Sequence, residues 1–67
     1  MPFSQALDLV KFGSRVTRKD WTDQGIFIVY QEGEMQIRRA DGFHFMWMPS
    51  MDDLMAEDWM LLEEAEA

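Results

Sequence analysis

Apolar residues Phe3, Ala6, Leu7 and Val10 recur at i, i+3, i+4 and i+7, the spacing of one helical face. The pattern predicts a helix from about Ser4 to Phe12, with Ser4 as N-cap and Gly13 at the left-handed position that commonly ends a helix. From Ser14 to Lys19 the period shortens to two, with Val16 pointing one way and Arg15 and Thr17 the other, which reads as a short strand. Asp20 to Gly25 is turn chemistry around Trp21, and that ring reads first as a plug at the core edge and second as a contact residue. Ile26-Phe27-Ile28-Val29-Tyr30 is the clearest strand, β-branched and aromatic throughout. Both of its faces are apolar, and one helix can cover only one of them, so the pattern predicts a second subunit or a ligand on the other.

Glu32-Gly33-Glu34 predicts a tight hairpin, after which Met35-Gln36-Ile37-Arg38-Arg39 alternates with Met35 and Ile37 inward. Asp41-Gly42 predicts the next turn. Phe43, Phe45 and Trp47 then share one face of a strand, and His44, Met46 and Met48 the other. Pro49 stops that run. Ser50 can accept the amide of Asp53, and Asp52 and Asp53 suit the positive end of a first helical turn. The helix must be short, because Asp58 to Leu62 reads as a last strand, with Trp59 as a core residue first. The expectation is an α+β domain over residues 1–62: a small antiparallel β-sheet, an N-terminal helix packed on it and a short helix before the last strand. Residues 63–67 read as an acidic, disordered tail.

Length changes the picture by making self-association expected. A 67-residue chain buries a modest core. It has no cysteine for disulfides or thiolate metal sites and one histidine, so neither staple is expected and oligomerisation remains. The formal charge is −7, which argues against long nucleic acid as partner. All six cations lie in residues 1–39, leaving room for a local basic patch from Arg15, Arg18, Lys19, Arg38 and Arg39, whereas eight acids and no cation lie in 40–67. No apolar run has the length of a membrane span, and no signal peptide is apparent, so a cytosolic protein is expected.

Catalysis finds no foothold. His44 sits alone in an apolar strand, Ser4, Ser14 and Ser50 are explained first as caps, and Asp52/Asp53 and Glu57/Asp58 are adjacent pairs that diverge on a helix. No glycine loop cradles a phosphate, no cofactor is implied, and an enzyme is not expected. Nine aromatics exceed what one helix-on-sheet core easily hides. Aromatic faces beside arginines suit nucleobases and phosphates, and a carboxylate such as Asp53 suits ribose hydroxyls.

Three stretches carry a family likeness: Phe3-Ser4-Gln5-Ala6-Leu7 through Phe12-Gly13; Val16-Thr17-Arg18-Lys19-Asp20-Trp21 with Gly25-Ile26-Phe27-Ile28; and Ala40-Asp41-Gly42 with Trp47-Met48-Pro49-Ser50 and Asp53 to Trp59. In these the chain resembles the Thoeris anti-defence two family, phage signal-sponge proteins. The resemblance implies a protein that binds and sequesters a cyclic nucleotide immune signal, a cyclic ADP-ribose isomer or a cyclic oligonucleotide, without degrading it. It implies a homotetramer, built as a dimer of dimers, working in the cytoplasm of an infected bacterium. By position it implies ligand contacts from Trp21, Trp47, Ser50 and Asp53, with Phe3 and Arg18 as further candidates. Met48 and Met51 stand where the family usually has polar residues, and the Tyr30–Met35 hairpin is short where longer relatives carry an insertion. The competing expectation is an acidic protein–protein inhibitor, an anti-CRISPR or nucleic-acid mimic, which steep salt dependence would reveal. A structural phage protein with no ligand is a third.

Overall fold

The computed structural model describes residues 1–63. Helix α1 (Phe3–Lys11) is followed by strand β1 (Val16–Arg18), a 3-10 helix (Lys19–Gln24), β2 (Phe27–Gln31), β3 (Glu34–Arg38), β4 (His44–Met46), helix α2 (Met51–Met55) and β5 (Trp59–Leu61). The order is the expected one. The strands form one antiparallel sheet, β4-β3-β2-β1-β5. Most of the expected tail lies outside the described residues. Among the described residues no helix is long and apolar enough to cross a membrane.

The register shows how the alternating strands build one apolar face. Val16 pairs with Ile28 and with Leu61, Ile28 with Ile37, and Ile37 with Phe45, so one row of apolar side chains crosses all five strands. Helix α1 lies over this face through Ala6 and Val10, both fully buried, with Phe3 and Leu9 packed beside them. Trp47 and Trp59 complete the core cluster. They come from opposite edges of the sheet, just past β4 and at the start of β5, yet their ring centroids are 5.8 Å apart. The sheet therefore coils until its two edges approach, and α2 bridges the gap. This is strand twist accumulated over five strands.

Three local expectations change. Ser4 is not the N-cap of α1: Pro2 occupies that position with no side-chain cap, and the Met1 amino nitrogen instead ties the region to β5 by donating to the Trp59 carbonyl at 2.8 Å. The Asp20–Gly25 turn is a 3-10 helix ended by Gly25 at φ +71°. Finally, the second face of β2 is already partly closed within one chain. Val29 is buried, and Phe27 is half-buried between the guanidinium groups of Arg15 and Arg38, 5.6 and 5.5 Å from its ring centroid. Thr17, fully buried on that face, donates its hydroxyl to the Ile26 carbonyl at 2.7 Å. The hairpin at Glu32-Gly33 is as tight as expected, and both residues take positive φ, as a two-residue turn matching strand twist requires.

Candidate functional site

Arg18 ends β1 on the helix side of the sheet, directly opposite Trp59. Its Nε donates to Asp58 Oδ1 at 2.9 Å and its Nη1 to Asp53 Oδ1 at 3.0 Å. The guanidinium also lies 5.7 Å from the Trp21 ring centroid and 5.9 Å from that of Trp59. The hydrogen bond to Asp58 is the main cause of an Arg18 pKa raised above its ordinary value, against a smaller opposing effect of burial.

Asp53 joins three elements. Its Oδ2 accepts from the Ser50 amide at 3.1 Å while its own amide donates to Ser50 Oγ at 3.2 Å, a complete capping box that starts α2. Its Oδ1 accepts from Arg18. Its carbonyl accepts from Trp59 Nε1 at 3.0 Å. The cap was expected from the sequence; the other ties were not. Around this hub the rings pack edge to face or tilted: Trp21 against Trp59 at 5.4 Å, Phe3 against Trp59 at 5.6 Å and Phe3 against Trp47 at 5.7 Å. Such pairs contribute roughly 0.5–1.5 kcal/mol each beyond area burial.

All six residues singled out in the sequence thus fall in one connected cluster, with Asp58 and Trp59 between them. Their exposure differs. Trp47 is 9% exposed and Trp59 1%, so both are core rings whose faces are taken by neighbours. Trp21, Phe3 and Arg18 are half-buried, and Ser50 is exposed. Phe3 also lines a cleft of about 490 Å³ between the start of α1 and α2, with Pro2, Ser4, Leu54, Met55, Ala56 and Glu57. Phe3, Trp21 and Arg18 thus keep part of their surface in solvent while buried tryptophans and a doubly anchored carboxylate brace them.

The basic patch suggested by composition divides. Arg15 and Arg38 lie on the opposite sheet face around Phe27, and Arg39 stands 4.7 Å from the Phe45 ring centroid. Parity explains the split: Arg15 and Arg18 are three residues apart in an extended segment, so they point to opposite faces. His44 is exposed, with its ring 6.4 Å from Phe27. The grouping of Arg15, Phe27 and Arg38 escaped sequence reading; its available signal was the parity of three strands, which gives a common face only once Phe27 is paired with Arg38.

Residues 1–62 match the family model described as the Thoeris anti-defense 2-like domain. A protein named Thoeris anti-defense 2, from Bacillus phage SP01, is 26% identical over 81 residues, covering 88% of this chain and 91% of that protein. The matched length exceeds the 67 residues of this chain, so the relative carries residues that are absent here. With the whole described fold inside the matched span, the chain belongs to the Thoeris anti-defense 2-like family.

Proposed function

We propose that this protein counters Thoeris immunity by binding and sequestering the cyclic nucleotide signal of that system, a cyclic ADP-ribose isomer, without cleaving it. The carrying observation is that Phe3, Arg18, Trp21 and Ser50, each at least partly exposed, are joined through Trp59 and Asp53 into one cluster, with Phe3 also lining a cleft, in a chain of this family. Trp21 and Phe3 offer rings for the base, Arg18 offers its remaining nitrogen to phosphate oxygens, and Ser50 offers a hydroxyl. Trp47 and Asp53 act from behind by fixing those groups. No residue in the cluster is poised as a nucleophile or general base, which favours retention over turnover. The site of action is the cytoplasm of the infected bacterium.

Assembly belongs to the same reading. β4 is an edge strand whose three residues are all exposed, and Phe43, Met46 and Met48 extend an apolar surface along it. A second copy would cover this edge, and a tetramer arranged as a dimer of dimers would place ligand between subunits. The acidic-mimic reading loses ground because two of the eight C-terminal-half acids, Asp53 and Asp58, are already bound to Arg18.

Native mass spectrometry with a panel of cyclic ADP-ribose isomers and cyclic dinucleotides tests both points. The expected result is a tetramer that gains, and on heating releases, a ligand of unaltered mass. A monomer that gains nothing would overturn the reading. Trp47→Ala is expected to abolish ligand gain, and because the ring is also core, Trp47→Phe serves as the folded companion; undiminished uptake by both would remove Trp47 from the recognition apparatus.

A further inference from the structure

We propose that the cleft framed by Arg15, Phe27 and Arg38 is a second binding site, on the sheet face opposite the Arg18 cluster, for a compact ligand bearing two adjacent phosphate groups. The cleft measures about 360 Å³ and is also lined by Thr22, Gly25 and Leu62, a volume within the roughly 300–1,000 Å³ usual for small-molecule sites. Its cations are held in place, and no carboxylate among the described residues neutralises them. Both guanidinium carbons lie within 5.6 Å of the one Phe27 ring centroid. Arg38 is fixed further by a 2.6 Å hydrogen bond from Nη1 to the Gly25 carbonyl. Glycine leaves room for that approach: a Cβ at residue 25 would stand 3.0 Å from Nη1.

Among the described residues, neither Arg15 nor Arg38 is paired with a carboxylate, in contrast to Arg18 with its two. Two oriented guanidinium groups with uncommitted N–H donors match the oxygens of neighbouring phosphates. The ring itself is occupied by the two cations, so it orients them and does not offer a platform for a base. The Thr22 hydroxyl already donates to the Lys19 carbonyl at 3.1 Å, which leaves recognition to the arginines. A long polyanion is disfavoured by the overall charge of −7, whereas a compact diphosphate meets only the local field of the cleft. The 3-10 helix lies between the two regions, with Trp21 on the Arg18 side and Thr22 on this one.

Titration of the isotopically labelled full chain with inorganic pyrophosphate, and separately with ADP, at low ionic strength tests the assignment by NMR. Saturable shifts are expected at the Thr22, Gly25 and Phe27 amides and at the Arg15 and Arg38 Nε–H signals. Arg15→Gln with Arg38→Gln should weaken binding by about tenfold or more, and Arg38→Lys should weaken it less, keeping the charge but losing the fork. Unchanged tryptophan indole signals would establish that these variants are folded. Absence of saturation at millimolar ligand, equal shifts in the double variant, or shifts confined to Arg18 and Trp21 would each overturn the proposal. Binding of ADP but not pyrophosphate would also overturn it, because the base would then carry recognition.

Discussion

Two arginine–aromatic groupings occupy the two faces of this sheet, and they differ in how far their bonding is spent. Arg18 is bound by two carboxylates and set against Trp21 and Trp59, in a cluster closed on its inner side. Arg15 and Arg38 share one phenyl ring, face an open cleft, and have no acid partner among the described residues. Residue types alone would have assigned both the same task. The difference lies in the partners: a guanidinium with two nitrogens bound to carboxylates serves the fold first and keeps one nitrogen for a ligand, whereas one held only by a ring and a carbonyl keeps more of its donors open.

The sharpest way to break this contrast is to remove the ring at the closed cluster's centre. Trp59→Ala deletes the neighbour of Phe3, Trp21 and Trp47 and the donor to the Asp53 carbonyl. A loss of about 3–5 kcal/mol is expected, comparable to the whole stability of so small a domain, so circular dichroism should show a largely unfolded chain without denaturant. Arg18→Ala comes next. It leaves Asp53 and Asp58 without their shared cation, at an expected cost of about 1–3 kcal/mol after allowance for partial exposure, readable as a lower urea midpoint. Because the folded-state pKa of Arg18 is raised, the stabilisation is fully present below the unfolded-state value and is lost only as pH climbs through the raised one. The Arg18 pKa shift itself should therefore add no pH dependence to the variant's deficit near neutrality.

Ser50→Ala removes one half of the capping box and should cost about 1 kcal/mol, with amide exchange accelerated in α2 ahead of the sheet. Arg15→Gln should be smallest, within about 0.5 kcal/mol, since this exposed side chain has no ion pair among the described residues. A urea midpoint shifted as far by Arg15→Gln as by Arg18→Ala would erase the distinction between the two groupings.

Much of this was legible in the sequence. The helical face of Ala6 and Val10, the alternation in β3, the two-residue hairpin and the Ser50–Asp53 box follow from spacing and turn chemistry, because each depends on residues close in the chain. The family likeness picked out six residues that the fold does bring into one cluster. What spacing could not supply was depth. Trp47 looks like any outer ring of an alternating edge strand until the sheet coils and carries it beneath Phe3. The apolar far face of β2 pointed to an external cover, whereas Arg15, just before β1, and Arg38 of β3 pack against Phe27 within the chain. Pairing between strands, and the curl of the sheet, are set by the whole set of contacts and leave no mark in any one segment.

The ties of Asp53 and its neighbours also bear on how the chain reaches its folded state. Arg18 meets acids 35 and 40 positions further along, and the Met1 nitrogen meets a carbonyl 58 positions away. Closing loops of that size comes late and slows folding. The hairpins join residues close in the chain, but the Arg18 cluster has no existence until β5 is in place. Pairing of β2 with β3 needs nothing beyond Arg38, whereas the Arg18 cluster needs Asp53, Asp58 and Trp59, so the two parts of the fold differ in how much of the chain must be in place before they form.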